Sequence, residues 1–195
     1  MKSSLLKVSV VTLALALSAC ATVVSAPAGP YKVASGYTVD LGRQWSDMSG
    51  AVLNRGKKVR MLSIDGPLLN RLYLVDGLAP GDFIVKPVSK QQPTPTYRSG
   101  MSPTELVEFV ADSAAALDYQ RVETSGLRPV SFAGGDGIRF DVAAQTSGGL
   151  EMAGTALVAE RDGKLYVSLY MAPKEHYYGA YLPEVEKVFA SARFG

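Results

Sequence analysis

The only thiol in the chain belongs to Cys20, and its position decides what chemistry it can carry. Ahead of it stand the basic residues Lys2 and Lys7 and then a ten-residue apolar run over residues 8–17. A basic start, a short apolar run and small residues are the three parts of an export signal. The run is about half the roughly 20 residues that a membrane-spanning helix needs. Cys20 could also be an incidental small residue at an ordinary cleavage site of the export signal, because Ala19-Cys20-Ala21 fits the A-x-A pattern.

The stretch Leu17-Ser18-Ala19-Cys20 resembles the signal of bacterial lipoproteins, in which small residues end at a cysteine that is acylated and becomes the new N-terminus. The resemblance implies that residues 1–19 are a signal peptide and that Cys20 carries a diacylglycerol, often with a third chain on its amino group. Two or three acyl chains hold a protein at a membrane far more firmly than one. Ala21, which is not acidic, follows the cysteine, and by resemblance this favours the outer membrane, with the protein facing the periplasm.

The composition of the mature chain limits the classes of partner that it can bind. Removal of the signal takes Lys2 and Lys7 and leaves 18 basic and 18 acidic residues, a formal net charge of zero. Such a chain lacks the broad basic surface by which proteins bind nucleic acid, so no nucleic-acid partner is predicted. With its only thiol committed to lipid, the chain forms no internal disulfide, and its core must supply the stability.

The single histidine, His176, is the first candidate for acid–base chemistry. One histidine cannot make a histidine-based metal cluster, and catalysis would need a carboxylate that the fold brings to it. A hydrolase in which His176 meets a carboxylate and a serine in a cleft is the enzymatic alternative. As a surface residue at the start of a helix, His176 needs no special role. We therefore predict no catalytic residue, no metal site, no cofactor and no enzymatic activity.

Two glycine-containing patterns suggest ligands but are better explained as turns. Residues 134–137, Gly-Gly-Asp-Gly, lead into an alternating strand, whereas a phosphate-binding loop leads into a helix whose amides face the anion. Calcium loops place their acidic ligands at alternate positions within a dozen residues. The Asp-Gly pairs of this chain are scattered, and all are predicted to be turns: Asp65-Gly66, Asp76-Gly77, Asp136-Gly137 and Asp162-Gly163.

Tyrosines provide the first candidate binding surface, where the last strand meets the last helix. An aromatic ring with a hydroxyl suits recognition of a partner or ligand, although the same residues could fill the core between sheet and helix. A second candidate is the loop over residues 91–98. The candidate binding residues are Tyr166, Tyr170, His176, Tyr177 and Tyr178, joined by Tyr181, and in the loop Tyr97 and Arg98.

The folded part is predicted to begin at Tyr37. Residues 20–36 would join the acylated cysteine to it through a small, Pro- and Gly-containing, nearly uncharged tether that is expected to be disordered. Beyond it, residues 37–195 are predicted to form one domain. Alternating segments bounded by Gly, Pro, Asn and Asp predict strands over 37–41, 59–64, 70–75, 82–85, 121–130, 138–144, 154–160 and 165–171, with a surface loop over 86–100.

Two helices are predicted. Ser102-Pro103-Thr104-Glu105 is a capping box with proline at the first helical position, and apolar residues then recur at helical spacing to an expected end near Tyr119. The second helix covers residues 178–189, and Pro183 is expected to start or kink it.

Asp162-Gly163 predicts a type I′ hairpin that sets Val158 opposite Val167, Ala156 opposite Leu169 and Ala159 opposite Tyr166. Both faces of its second strand are apolar, which predicts layers on both sides. The order of strands, helix, strands and helix predicts an α+β fold, a largely antiparallel sheet with helices packed on it.

Four features of the folded part occur together: residues 37–41 followed by Trp45, the capped helix from Ser102, the hairpin at Asp162-Gly163, and the end 181–185 and 191–194. With these features the folded part resembles the PsbP-like family. The resemblance implies an α-β-α sandwich whose members usually bind partners instead of catalysing reactions.

Three functions follow from these observations. The favoured one is a non-catalytic, membrane-anchored envelope lipoprotein that presents a binding or assembly surface to a protein partner. The alternative is a small-molecule or lipid carrier with an apolar sheet–helix pocket, lined by Phe140, Leu157, Tyr170 and Phe189. The hydrolase at His176 is the least favoured.

Overall fold

The computed structural model describes residues 23–52 and 55–194. The predicted signal peptide, Cys20 and Ala21 lie outside the described residues, so lipid attachment at Cys20 stays a prediction. Within the described ranges, no helix is both long enough and apolar enough to cross a bilayer.

Two antiparallel sheets make up most of the domain. The main sheet has eight strands in the order β1-β4-β5-β6-β10-β9-β8-β7, and the small sheet has three in the order β11-β3-β2. In chain order the strands are β1 (Val24–Ala26), β2 (Gly29–Val33), β3 (Tyr37–Leu41), β4 (Trp45–Asp47), β5 (Val59–Ser63), β6 (Arg71–Leu78), β7 (Gln120–Phe132), β8 (Gly135–Gln145), β9 (Glu151–Arg161), β10 (Lys164–Pro173) and β11 (Arg193–Phe194).

Helices α1 (Pro103–Ala115) and α2 (Tyr177–Ala190) cover opposite faces of the main sheet. α1 contributes Leu106 and Phe109 to one buried cluster, whereas α2 contributes Val185 and Phe189 to the other. The small sheet packs beside α2, because its buried residues belong to the same cluster. The fold is therefore α+β with helices packed on a largely antiparallel sheet, as predicted.

Strand β10 has the two apolar faces that the sequence predicts. Val167 and Leu169 lie in the cluster under α1, and Tyr166 and Tyr170 lie in the cluster under α2. The β9–β10 hairpin has the predicted register, including Val158 opposite Val167. At the turn, Asp162 has φ +52° and Gly163 has φ +69°. Left-handed conformations at both positions are what a type I′ turn requires.

The capping box of α1 is confirmed. The Ser102 hydroxyl accepts a hydrogen bond from the Glu105 amide at 3.3 Å, and the Glu105 carboxylate accepts one from the Ser102 amide at 2.8 Å. The helix ends at Ala115, four residues before the expected end near Tyr119. Asp118 takes a left-handed φ of +69°, which reverses the chain and lets Tyr119 lead into β7.

The prediction of a disordered tether over residues 20–36 is wrong for the part that the structure describes. β1 pairs with β4 at an edge of the main sheet, and β2 pairs with β3. The Tyr31 hydroxyl donates to the Asp47 carboxylate at 2.7 Å, and Ala26 and Val33 are buried. The segment has no alternating apolar pattern that would predict strands. It is ordered because partners elsewhere in the chain supply its hydrogen bonds and its packing.

Several local predictions are also corrected. Residues 82–85 form no strand, since Val85 makes only an isolated bridge. Asp76-Gly77 lies within β6 and Asp136-Gly137 within β8, so these two pairs are not turns. α2 begins at Tyr177, so Pro183 does not start it but lies inside it, the position that the alternative of a kink requires. The sheet pairing overrides turn propensity at both aspartates.

Candidate functional site

Tyr166, one of the predicted binding residues, lies in a buried aromatic cluster instead of a surface site. Its ring meets Phe194 and Tyr37 edge-on, with centroids 4.8 and 5.8 Å away. Phe132 lies 6.5 Å from it. Because these rings come from both sheets, the cluster holds the small sheet on the main one. Tyr166 is a core residue.

Three other predicted residues do come together, at the first turn of α2. The Tyr170 hydroxyl donates to the carbonyl oxygen of Tyr177 at 3.0 Å. The Tyr170 ring stacks on Tyr178, with centroids 5.7 Å apart and an interplanar angle of 18°. Tyr170 is fully buried, whereas Tyr177 and Tyr178 are half-buried. The buried Tyr170 therefore supports the Tyr178 ring by stacking and holds the backbone at Tyr177 by its hydrogen bond.

The partly accessible side chains at the start of α2 are those of His176, Tyr177, Tyr178, Tyr181 and Leu182, and we call them the tyrosine surface. His176 is exposed and meets the Tyr177 ring edge-on at 5.0 Å. Arg43 adjoins the second helical turn, where its guanidinium lies 5.7 Å from the centre of the Tyr181 ring. Together with Arg43, the tyrosine surface offers aromatic area, a cation and hydroxyl groups, and tyrosine and arginine are enriched at protein-binding surfaces.

Two hydroxyls of the tyrosine surface, those of Tyr178 and Tyr181, are held neutral at physiological pH. Burial is the main reason that the pKa of Tyr178 is raised. The neighbouring Asp65 side chain is the main reason that the pKa of Tyr181 is raised. The Tyr178 hydroxyl therefore keeps its proton and is able to donate to an acceptor on a partner.

A polar groove of about 500 Å³ adjoins the tyrosine surface, with Tyr178 and Leu182 on one wall. Its floor carries Arg139, whose guanidinium pairs with both carboxylate oxygens of Glu186, at 2.6 Å for one of them. This bidentate pair raises the pKa of Arg139. A second pair joins Arg128 to Asp141, with both contacts at 3.3 Å. The groove therefore offers fixed charges of both signs beside the aromatic rings.

The sequence alone does not predict this groove. Arg139 and Glu186 are 47 residues apart, and Arg139 sits in a strand whose alternation indicates only which side chains share a face. The available signal was that Arg139 alternates with buried Phe140 and therefore faces the α2 side of the sheet.

The loop over residues 91–98 does not form the second candidate site. Tyr97 is fully buried in the core beneath α1, and burial is the first cause that raises its pKa to about 12. Arg98 is exposed and pairs with Glu105 at 3.1 Å. The two residues thus point to different environments. The loop itself is irregular, as predicted, and it contributes Tyr97 to packing.

The structure gives no support to the hydrolase alternative. His176 is exposed and forms no ion pair with a carboxylate of the described residues. Within residues 23–52 and 55–194, no three His, Cys, Asp or Glu side chains lie close enough together to hold a metal ion.

The carrier pocket expected from the sequence does not form either. Its four residues are all buried, but they lie on opposite faces of the sheet. Phe140 belongs to the cluster under α1, whereas Leu157, Tyr170 and Phe189 belong to the cluster under α2. They therefore line no common cavity.

Removing the support of the tyrosine surface is expected to loosen it. Tyr170→Phe deletes the hydrogen bond to Tyr177 and should cost about 1 kcal/mol. Amide hydrogen exchange should become faster in the first two turns of α2. The matched control is Tyr166→Phe, since that hydroxyl makes no hydrogen bond with another described residue. Equal exchange in the two variants would contradict the supporting role of Tyr170.

Comparison with solved structures identifies the architecture. The cyanobacterial PsbP protein CyanoP from Synechocystis superposes with a TM-score of 0.53 over 91% of this chain and 95% of its own, at 14% identity. The fold is PsbP-like. This confirms the fold that the resemblance implies, and at this identity it shows the fold alone.

Two weaker structural similarities accompany it. A Pseudomonas aeruginosa protein of unknown function has a TM-score of 0.42, with 10% identity over 83% of this chain and 93% of its own. LpqN of Mycobacterium tuberculosis, described as involved in cell envelope biogenesis, has a TM-score of 0.39, with 8% identity over 88% of this chain and 91% of its own. No protein-family model and no curated protein matches the chain.

Proposed function

We propose that this PsbP-like protein is a non-catalytic lipoprotein of the cell envelope that presents the tyrosine surface to a protein partner. Its anchor is the acylated Cys20, in the outer membrane and facing the periplasm. The sequence before Val23 supports the anchor through its export-signal pattern and its cysteine after Leu17-Ser18-Ala19. The geometry of α2 supports the binding surface.

The observation that carries the proposal is a set of accessible aromatic rings on a rigid base. Tyr177 and Tyr178 are half-buried; the Tyr178 ring stacks on Tyr170, and the Tyr170 hydroxyl donates to the backbone carbonyl of Tyr177. Tyrosine loses little conformational entropy on binding, and a fixed side chain loses less. Tyrosine and arginine are also enriched among the residues that dominate binding energy. The tyrosine surface supplies tyrosines, and the polar groove beside it supplies arginines.

The start of β1 limits where the partner can be. β1 begins at Val24, four residues after Cys20. A fully extended link of that length spans at most about 14 Å. An acylated Cys20 therefore keeps the domain against the membrane surface. The partner therefore meets the domain at the membrane surface.

Photo-cross-linking in intact cells tests the proposal. A photoreactive residue at position 182 borders both the tyrosine surface and the groove. The control position is 108, on the exposed face of α1. We expect a discrete protein adduct from position 182 that is absent from position 108 and weakened by Tyr178→Ala. The proposal fails if position 182 captures nothing beyond what position 108 captures.

A further inference from the structure

A second opening lies on the other face of the main sheet, at the C-terminal end of α1. It is a cleft of about 370 Å³, within the range of small-molecule sites. Its walls are mostly apolar and come from the segment before β5, from β5 itself and from the turn after α1. Its apolar lining includes Met48, Val52, Met61 and Leu117.

Arg71 lines this cleft and is half-buried. Its guanidinium lies 5.5 Å from the centre of the Tyr119 ring and donates to the Tyr119 hydroxyl at 3.3 Å. Its Nε donates to the carbonyl oxygen of Pro67. No carboxylate in the described ranges pairs with it, in contrast to Arg139, which has Glu186. A partly desolvated cation without a counter-ion favours an anion that reaches it.

Two buried tyrosines flank Arg71. Tyr73 lines the cleft, and the Tyr119 ring packs against the guanidinium; both tyrosines are almost fully buried. Burial raises the pKa of each hydroxyl, so both remain protonated at neutral pH. Neither tyrosine therefore supplies a negative charge that would compete with a bound anion for Arg71.

Asp118 is the one acidic residue that lines the cleft, and it is exposed. Solvent and salt screen an exposed charge much more than a half-buried one. Arg71 is therefore the charge in the cleft that acts most strongly on a bound ion.

We propose that the cleft binds a carboxylic acid with an apolar chain. The carboxylate pairs with Arg71, whose planar guanidinium matches it. The chain lies between Met48, Met61 and Leu117. This site is independent of the tyrosine surface, because the two lie on opposite faces of the main sheet.

The test is photo-labelling of the purified full chain with a diazirine analogue of decanoate and with the matching analogue of decanol. Mass spectrometry then locates the label. We expect saturable labelling by the acid on peptides that contain Met48, Met61 or Leu117, removed by excess decanoate. Labelling of the same peptides by the alcohol should be at least about tenfold weaker than labelling by the acid. Equal labelling by the alcohol would overturn the role of the cation, and labelling only elsewhere would overturn the site.

Variants separate the charge from the packing. Arg71→Met should weaken labelling by the acid about tenfold or more, and Arg98→Met, at an exposed arginine outside the cleft, should leave it unchanged. Because Arg71 also packs on Tyr119, Leu117→Glu provides a variant that leaves those contacts intact. It adds a negative charge at the cleft and should weaken the acid more than the alcohol. Wild-type labelling in both cleft variants would overturn the proposal.

Discussion

Replacing Asp76 by alanine is expected to cost the protein about 3 to 5 kcal/mol of unfolding free energy. This carboxylate is nearly buried, and one of its oxygens accepts hydrogen bonds from the amides of Ser35 and Gly36, both at 2.8 Å. Hydrogen bonds to a charged group contribute about 1.5 to 3 kcal/mol each, and the variant also leaves two amides without a partner. The β2–β3 turn would lose its attachment to β6.

Urea denaturation measures this effect, and two further variants identify its cause. Asp112→Ala, at an exposed position of α1, should change stability by no more than about 0.5 kcal/mol. Gly36→Ala should be destabilising because its Cβ would lie 1.9 Å from an Asp76 carboxylate oxygen. In the Asp76→Ala background that clash is gone, so the two losses should not add. Additive losses would contradict the direct contact.

Replacing Cys20 by alanine is expected to move the protein from the membrane fraction to the soluble fraction. Each buried methylene of an acyl chain contributes about 0.8 kcal/mol to membrane binding, so loss of two or three chains removes the anchor. The variant also has alanine at each of positions 19–21, which keeps an A-x-A pattern for ordinary cleavage. A processed and released product is therefore expected. The measurement is membrane fractionation followed by immunoblotting.

The control for that experiment is Ser18→Ala, which keeps a small residue before the cysteine and should stay with the membrane. Recovery of Cys20→Ala entirely in the membrane fraction would contradict the anchor. The tyrosine surface would still be testable in the released protein, because the substitution changes none of its residues.

Short-range signals account for what the sequence predicted correctly. The β9–β10 register follows from the two turn residues Asp162 and Gly163, and the start of α1 follows from Ser102 and Glu105. Each depends on residues no more than four positions apart. The contact between Tyr170 and Tyr177 spans seven residues, and the short connection between β10 and α2 still makes it a local one.

Long-range contacts account for the features that the sequence did not predict. β1 pairs with β4 about twenty residues further on, and no local pattern in residues 24–26 predicts that pairing. Tyr166 and Tyr170 share one face of β10, but four residues of a strand span about 13 Å, which places Tyr166 in the aromatic cluster instead of the tyrosine surface. Asp76 is a buried acceptor for a turn forty residues away, although its neighbour Gly77 predicts a turn of its own.

The intact mass of the protein isolated from membranes tests whether an acylated Cys20 holds this domain at the bilayer. We expect a chain that begins at Cys20 and carries the additional mass of two or three fatty acyl chains, located on the N-terminal peptide by fragmentation. A chain that begins at another residue, or that begins at Cys20 without acyl mass, would contradict it.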